Sequence, residues 1–275
     1  MTDSLSTSWL QRFGGIARLY GQPALHTFRN THVTVVGIGG VGTWVAEALA
    51  RSGIGTVTLI DMDDICVTNT NRQLHALAST IGQQKIDVMA ARLKDINPEL
   101  EVHCVDDFLD TDNILQLIHA DCDLVIDAID TTHVKAALIA SCKRRKQLLV
   151  TVGSAGGKLD PRQITSGDLS RTVNDPLLAK VRNTLRRQYN FSRNPKRVFS
   201  VEAVYSTEQM TYPSADGSTC QSKEGLSEGV KLDCSGGFGS ATMVTASFGF
   251  VAVSRGLEKL LARAERKAAE TGSDA

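Results

Sequence analysis

The feature that most constrains the fold of this chain is a glycine-rich turn between a β-branched run and an apolar helical pattern. Residues 31–42 read Thr-His-Val-Thr-Val-Val-Gly-Ile-Gly-Gly-Val-Gly, and the helical pattern continues from Trp44 to Ala50. The G-x-G-x-x-G spacing permits a tight turn and a close approach of backbone N–H groups to a phosphate. The following helix directs its unpaired N–H donors at the same anion. The glycines of the turn are Gly37, Gly39, Gly40 and Gly42.

A second strand and an acidic residue complete the pattern. The β-branched run Thr56–Ile60 ends directly before Asp61. An acid at this distance from the glycines reaches the ribose hydroxyls of a bound nucleotide. Because strand, glycine turn, helix, strand and acid occur in this order, we favour a nucleotide site over a purely structural turn.

Strands continue to alternate with helices after Asp61. The predicted elements are a helix over 83–95, strands at Glu101–Val105 and Leu124–Ile126, a helix over 133–145 and a strand over 147–152. Such alternation predicts a Rossmann-like α/β fold: a mostly parallel sheet with right-handed crossovers and helices on both faces. Ligands of these sheets bind at the carboxyl ends of the strands, where Gly39, Asp61 and Asp130 are expected to meet.

The remaining chain is less regular. Its C-terminal half contains a helical start at 176, a strand at Val198–Ser206, a stretch rich in Gly, Ser and Thr, and an amphipathic helix at Leu257–Ala269. We divide the chain into a helical arm (1–30), a nucleotide-binding core (31–155), a second half of the same domain (156–256), and a terminal helix with its tail (257–275).

Composition excludes several classes. The 275 residues are 42% hydrophobic with a formal net charge of +0, so attraction to nucleic acid must come from a local patch. The N-terminal residues show no apolar run after a basic start, which predicts no secretory signal and a cytoplasmic location. Six cysteines without a C-x-x-C pair argue against zinc and against a disulfide framework.

Residues 235–254 carry no charge and have the length of a membrane span. Only half of them are apolar, and the others are Gly, Ser and Thr. We therefore interpret the segment as a buried, closely packed helix and expect no contact with a membrane.

Several motifs together resemble the ubiquitin-activating-enzyme-like family of the ThiF and MoeB type. They occur in the order and spacing of that family: Gly37-Ile-Gly-Gly-Val-Gly42, Asp61, Asn69-Thr-Asn71-Arg72-Gln73, Lys85 and Asp127-Ala-Ile-Asp130. Arg12-Phe-Gly-Gly, Cys234-Ser-Gly-Gly-Phe-Gly-Ser240 and a basic segment resemble one branch, whose members dehydrate a threonylcarbamoyl-modified adenosine in tRNA.

This resemblance implies adenylation of a carboxylate by ATP. Arg72 and Lys85 would meet the negative charge that develops on the phosphates, and Asp130 would hold Mg²⁺ together with those phosphates. Arg72, Lys85 and Asp130 are therefore the predicted catalytic residues, with Asp130 as the metal ligand. Asp127 either contacts the nucleotide or caps the following turn. The predicted nucleotide contacts are Gly37, Gly39, Gly40, Gly42, Asp61, Asn69, Arg72, Gln73, Lys85, Asp127 and Asp130.

In the implied reaction, ATP adenylates the threonyl carboxylate and the activated acyl group cyclises onto the neighbouring carbamoyl group. Three alternatives stay open on the residues alone. An activator of a ubiquitin-like or sulfur-carrier protein shares the adenylation site, although such activators often carry paired C-x-x-C zinc motifs. A nicotinamide-dependent oxidoreductase would use the glycines and Asp61 without needing Arg72, Lys85 and Asp130. A non-catalytic scaffold would not need to retain those charges.

The second informative stretch is the basic segment, Lys180–Arg197. It contains seven cations and no acid, with Tyr189 and Phe191 interleaved. Cations bind RNA phosphates and aromatic rings stack on exposed bases, whereas the alternative is a solvated helix face. The resemblance favours tRNA as the partner. The predicted RNA-binding residues are Arg182, Arg186, Arg187, Arg193 and Arg197.

Other expectations follow from the family. The resemblance implies a homodimer, whose interface and substrate site we assign to residues 156–256, and it allows a bound monovalent cation and a sulfur-transfer or other protein partner. Gly15 stands where the family usually has an arginine that reaches the partner subunit, so Arg12 and Arg18 are alternatives. Cys234 precedes a glycine-rich helix start, a place that lowers the pKa of a thiol. A structural and a catalytic role both stay open for it.

Overall fold

A computed structural model of the chain describes residues 5–214, 216–221 and 239–272. The helices are α1 Thr7–Tyr20, α2 Gln22–Arg29, α3 Gly42–Arg51, α4 Lys85–Ile96, α5 Ile114–Leu117, α6 Thr132–Arg145, α7 Pro176–Gln188 and α8 Thr242–Gly272. The strands are β1 His32–Val36, β2 Thr56–Ile60, β3 Glu101–Val105, β4 Leu124–Asp127, β5 Leu148–Val152, β6 Ile164–Asp168, β7 Glu202–Ser206, β8 Tyr212–Pro213 and β9 Thr219–Cys220.

Within the described residues, the main sheet has seven strands in the order β3-β2-β1-β4-β5-β7-β6. Neighbouring strands are parallel except for β6, which pairs antiparallel with β7. The predicted mostly parallel α/β fold is therefore confirmed. The chain runs outward from β1 to β3 and then returns to place β4 on the other side of β1. Such a reversal leaves a crevice at the carboxyl ends of β1 and β4.

Alternating side chains connect the sheet to a helical layer on each face. In β4, Leu124 and Ile126 join the core under α3, α4 and α8, whereas Val125 joins the core under α6 and α7. Because successive residues of a strand point to opposite faces, Asp127 shares the face of Val125. This register directs the Asp127 carboxylate into the protein beneath α6.

The C-terminal region differs from the sequence prediction. Instead of a packed helix within 235–254 and a separate helix from Leu257, α8 is one helix of 31 residues, and the domain boundary after residue 256 falls inside it. Its small residues allow close packing: a Cβ on Gly249 would lie 2.9 Å from Trp44 Cβ. A Cβ on Gly256 would lie 2.7 Å from Leu124 Cδ2. Among the described residues, no helix has both the length and the apolarity required to cross a membrane.

Two edge elements also differ from prediction. β7 begins at Glu202 rather than at Val198, and β6 was not predicted. All five residues of β6 are only partly buried, so the strand lacks the alternation that identifies a half-buried strand. Its position at the end of the sheet explains this pattern. The N-terminal arm consists of two helices, which enclose a small cluster around Trp9, Phe13 and Leu25.

Candidate active site

The glycine turn lies in the crevice between β1 and β4. Gly37 has a φ of 87°, which favours glycine, and a Cβ there would lie 3.1 Å from the carbonyl oxygen of Ala128. A Cβ on Gly42 would lie 1.7 Å from the carbonyl oxygen of Gly37. Glycine at these positions therefore lets the turn close tightly against the loop that follows β4.

Two side chains fix the backbone of Ile38, one at its amide and one at its carbonyl oxygen. The Ile38 amide donates to Asp61 Oδ2 at 2.6 Å, and His75 Nε2 lies 3.1 Å from the Ile38 carbonyl oxygen. The carbonyl accepts, so Nε2 carries the proton of the His75 ring. Burial lowers the pKa of His75 to about 4, which keeps the ring neutral at pH 7. The glycine turn is thus preorganised, and His75 has a structural role in it.

Asp61 lies beside the turn, and its contact with a ribose stays a prediction. Its Oδ1 atom accepts the Asp63 amide at 2.9 Å, while Oδ2 accepts Ile38. Burial raises the pKa of the Asp61 carboxyl, although Lys85 and these two amides partly offset the effect. Each oxygen retains a further lone pair for a ligand hydroxyl.

Lys85 is 5% exposed and is held by acids rather than pointing freely into solvent. Its Nζ atom lies 2.6 Å from Asp63 Oδ2 and 3.8 Å from Asp61 Oδ1. The Lys85 amide also donates to the Asp63 carbonyl oxygen, so Asp63 anchors the first turn of α4. Sequence reasoning missed Asp63, whose signal is its place two residues after Asp61.

Arg72 and Gln73 lie against the glycine turn. A Cβ on Gly40 would come 3.4 Å from Arg72 Cγ and Cδ, and one on Gly39 would come 3.9 Å from Gln73 Nε2. Gln73 is 7% exposed, and its buried Oε1 atom has no hydrogen-bond partner among the described residues. The glycine backbone leaves room for phosphates, and Gln73 Oε1 beside it lacks a hydrogen-bond donor among the described residues. Both features fit a ligand with phosphates and a donor group, such as ATP.

The start of α8 fixes the turn that carries Arg72. The Arg72 carbonyl oxygen accepts Trp44 Nε1 at 3.1 Å and Thr245 Oγ1 at 3.3 Å. Thr242 Oγ1 donates to the Asn71 carbonyl oxygen at 2.8 Å. Thr242 and Thr245 lie more than 150 residues after the residues they contact, so no local pattern could have identified them.

Asn69 serves the local backbone in this structure. Its Oδ1 atom accepts the Cys66 amide at 3.0 Å and caps the short helical turn Val67–Asn69. Asn69 thereby shapes the turn that leads to Arg72, and its contact with a ribose or phosphate stays a prediction.

Of the two roles predicted for Asp127, the structure shows the cap of the following turn. The side chain is fully buried, and its Oδ1 atom accepts Lys135 Nζ at 2.9 Å and the Ile129 amide at 3.1 Å. Thr151 Oγ1 donates to Oδ2 at 2.7 Å. Lys135, also fully buried, donates to the Ile129 carbonyl oxygen at 2.8 Å. Asp127 and Lys135 thus fix the loop from beneath rather than contacting a nucleotide. The signal missed was a lysine inside the apolar first half of α6.

Asp130 lies at the exposed end of the same loop. Within the described residues it makes no ion pair, and no group of three His, Cys, Asp or Glu side chains is arranged around a metal position. One exposed carboxylate fits Mg²⁺ only when phosphates supply further ligands, which is the usual arrangement for this ion. Together, residues 37–42, 61–63, 72–75, 85 and 127–130 form what we call the nucleotide edge.

The basic segment lies on the other helical layer, with α6 and α7. Arg182 Nη1 donates to Thr172 Oγ1, and burial lowers the pKa of Arg182. The Arg186 guanidinium lies over the Phe199 ring, 5.3 Å from its centroid. The remaining predicted RNA-binding residues are exposed: Arg187, Arg193 and Arg197.

The aromatic residues of this segment differ from the prediction that they stack openly on bases. Tyr189 and Phe191 are half-buried against the α6–α7 core, and Phe191 meets Phe199 edge to face with centroids 5.0 Å apart. α7 ends at Gln188, so Tyr189 and Phe191 lie in the segment after the helix, which packs them against this core. Cys234 lies outside the described residues.

Comparison with known proteins extends these observations. The model of the ThiF family matches residues 14–269. The chain belongs to the ThiF family. This ThiF-family chain is 54% identical over 97% of its length, and 100% of the relative's, to the tRNA threonylcarbamoyladenosine dehydratase of Escherichia coli (strain K12). It is 56% identical to the enzyme of the same name from Haemophilus influenzae, over 91% of this chain and 94% of that one.

Solved structures agree with the fold. The crystal structure of the E. coli tRNA N6-threonylcarbamoyladenosine dehydratase TcdA in complex with ATP has 51% sequence identity and a TM-score of 0.84. The match covers 96% of this ThiF-family chain and 99% of the other. The similarity therefore includes the C-terminal half as well as the nucleotide edge.

Proposed function

We propose that this chain uses ATP to dehydrate N6-threonylcarbamoyladenosine in tRNA by adenylating its threonyl carboxylate. The observation that carries the proposal is the near-complete similarity to the E. coli dehydratase, over 97% of this chain and 100% of that one. A similarity confined to the nucleotide edge would fit any adenylating member of the family. Its extension through α7 and α8 supports the tRNA substrate.

Residues of the nucleotide edge would bind ATP. The amides of the glycine turn face the phosphates, the Asp61 carboxylate accepts ribose hydroxyls, and the unsatisfied Gln73 Oε1 accepts a ligand donor. Arg72 and Lys85 supply positive charge beside the turn. Mg²⁺, held by Asp130 and the phosphates, would neutralise phosphate charge.

In the first step, a threonyl carboxylate oxygen attacks the α-phosphorus, and the bond from the α-phosphorus to the pyrophosphate oxygen breaks. Negative charge increases on the phosphate oxygens, and Arg72 and Lys85 stabilise it from fixed positions. In the second step, the neighbouring carbamoyl group attacks the acyl carbon, loses a proton and displaces AMP. The carboxylate oxygen leaves with AMP, so the net change in the nucleoside is the loss of one water. No thioester is needed, which makes Cys234 dispensable for this route.

The proposal also includes the finer expectations from the family. The chain would act as a homodimer in the cytoplasm, with residues 156–256 providing the substrate side and the basic segment binding tRNA. The exposure of Arg187, Arg193 and Arg197 supports a phosphate-binding role, because within the described ranges their guanidinium groups make no hydrogen bond or ion pair that RNA would have to replace.

Mass spectrometry of nucleosides tests the proposal. Modified tRNA incubated with protein and Mg-ATP is expected to yield a nucleoside lighter by one water, with one pyrophosphate and one AMP released per product. The Asp130→Ala variant, confirmed as folded by circular dichroism, should form none.

Two rivals give different results. Pyrophosphate release that requires the glycine tail of a carrier protein, with unchanged tRNA nucleosides, would favour a carrier-protein activator. Tighter binding of NAD than of Mg-ATP in calorimetry would favour an oxidoreductase.

A further inference from the structure

A cavity of about 360 Å³ lies where the last turns of α6 meet the end of α7, away from the nucleotide edge. Its walls combine two exposed cations with polar and aromatic side chains. The lining residues that matter here are Lys143, Arg144, Gln188, Tyr189, Asn190 and Phe191.

Backbone hydrogen bonds build one wall of this cavity. The amides of Tyr189 and Phe191 both donate to the Leu185 carbonyl oxygen, at 3.1 and 3.2 Å. Asn190 between them has a φ of 58°, a left-handed conformation that asparagine tolerates better than most residues. The chain therefore folds back at a defined point, and the half-buried rings of Tyr189 and Phe191 present only part of their surface to the cavity.

The other wall is positively charged. Arg144 is exposed and makes no hydrogen bond or ion pair within the described part of the chain, and Lys143 Nζ reaches only the Ser200 carbonyl oxygen, at 3.5 Å. Arg145 turns away to the Ile118 carbonyl oxygen. Cations at a helix C-terminus offset its dipole, but that dipole amounts to roughly half a charge. The consecutive cations 143–146 exceed this need, so the surface attracts anions.

Acidic residues are absent from both contributing stretches of sequence. No Asp or Glu occurs between residues 131 and 159 or between residues 176 and 201. Neither stretch therefore provides an internal acid to neutralise Lys143 and Arg144. We call the basic segment together with Lys143 and Arg144 the basic face.

The basic face lies along one face of the sheet, from the nucleotide edge at the carboxyl ends of the strands toward their amino ends. α6 begins at Thr132, directly after the Asp130 loop, and its 14 residues span about 20 Å. α7 runs alongside in the same direction: Asp175 before its start accepts the Ser154 amide that follows β5. A ligand that contacts both the nucleotide edge and the cavity must therefore be a long polyanion.

We propose that this cavity binds a phosphate and its ribose in the backbone of the tRNA substrate, about 20 Å from the nucleotide that reacts. Lys143 and Arg144 contact the phosphate, and the polar groups of Gln188 and Asn190 contact the ribose. The inference rests on the proposed function, because the polyanion that reaches the nucleotide edge is there identified as tRNA.

The test compares two double charge reversals. In Lys143→Glu/Arg144→Glu the change lies in the cavity. The control Lys94→Glu/Arg266→Glu changes net charge equally at exposed cations on α4 and α8, which cover the opposite face of the sheet. For each protein, binding of unmodified tRNA is measured by fluorescence anisotropy between low and physiological salt, and KM and kcat are measured with full-length modified tRNA and with a modified trinucleotide.

The cavity variant is expected to bind tRNA at least about tenfold more weakly than the control, with a log–log salt slope reduced by up to about two. Its KM for full-length tRNA should rise by the same factor while kcat, the trinucleotide kinetics and ATP affinity stay unchanged. Equal tRNA affinity and salt slope in the two variants would overturn the inference and leave these cations as a solvated helix end. Anisotropy measures tRNA binding without turnover, so it tests the inference independently of the proposed reaction. Failure of the proposed reaction would instead appear as normal tRNA binding by the unmodified protein with no product.

Discussion

Cations at the nucleotide edge and cations on the basic face have opposite surroundings. Lys85 is 5% exposed, and two carboxylates and the start of α4 hold it in place. Arg187, Arg193 and Arg197 are exposed, and no acid among the described residues forms an ion pair with them. The first arrangement is preorganised and shielded from salt, whereas the second is a set of separate charges that salt screens.

The difference indicates two ways of using positive charge. Under the proposed function, Lys85 at the nucleotide edge would act from a fixed position on charge that develops during the reaction, so its removal should be costly and insensitive to salt. On the basic face, the proposed function would have many cations each contribute a small, additive increment of affinity for tRNA. The predictions below test this contrast from the largest expected effect to the smallest.

The largest expected effect is on stability, at the buried ion pair beneath the nucleotide edge. Lys135→Met leaves the fully buried Asp127 carboxylate without its cation and should lower the free energy of unfolding by about 3–5 kcal/mol. Urea unfolding measures the loss. The double variant Asp127→Asn/Lys135→Met removes both charges and should recover much of the stability. A loss below about 1 kcal/mol in the single variant would show that water reaches Asp127.

Next in size is the catalytic effect of Lys85. Lys85→Ala should slow pyrophosphate release by about 10²–10³, because a preorganised charge is lost from the transition state. Lys94→Ala provides the control, since Lys94 is an exposed cation on the same helix. The ratio between the two variants should stay constant as salt increases. Near-normal rates in folded Lys85→Ala protein would exclude a role in stabilising phosphate charge.

A smaller effect is expected from pH at His75. Burial lowers the pKa of His75 to about 4 in the folded chain, against about 6.5 when unfolded. The stability that the neutral ring contributes is thus present above pH 6.5 and is lost as the pH falls toward 4. Between pH 7 and pH 5 the loss is about 2 kcal/mol. Denaturation at both values should show this loss in the unmodified protein, whereas His75→Gln, which retains a donor for Ile38, should lack it. Equal pH dependence in the two proteins would contradict the prediction.

The smallest effect is expected for single residues of the basic face. Arg187→Ala should weaken tRNA binding by less than about tenfold and reduce the log–log salt slope by at most about one. Arg266→Ala, at an exposed position on α8, serves as the control. ATP affinity should not change in either variant. A loss of tRNA binding as large as the catalytic loss in Lys85→Ala, and equally insensitive to salt, would remove the contrast between the two regions.

Local patterns in the sequence were sufficient to predict the core of the fold. Strands β2 and β3 have the predicted bounds, and β4, β5 and α6 differ from prediction by only one residue at an end. A β-branched run favours an extended strand, and the Gly or Asp that ends it favours a turn. Both preferences act within a few residues, so the local sequence is enough to predict them. The same locality explains why the order of glycine turn, Asp61 and Asp130 predicted where the nucleotide edge forms.

Tertiary structure alone decided which of these residues face a ligand. Asp127 and Asp130 are both carboxylates of one short motif, yet the register of β4 buries the first against Lys135 and leaves the second exposed. Likewise, α8 reaches across the sheet to hold the Arg72 carbonyl oxygen. The environment of a side chain depends on which helices pack against its strand. Contacts between residues far apart in the chain determine that packing. The sequence by itself therefore determined the elements and the edge where the motifs meet, while packing between layers assigned each side chain to a ligand-facing or a buried position.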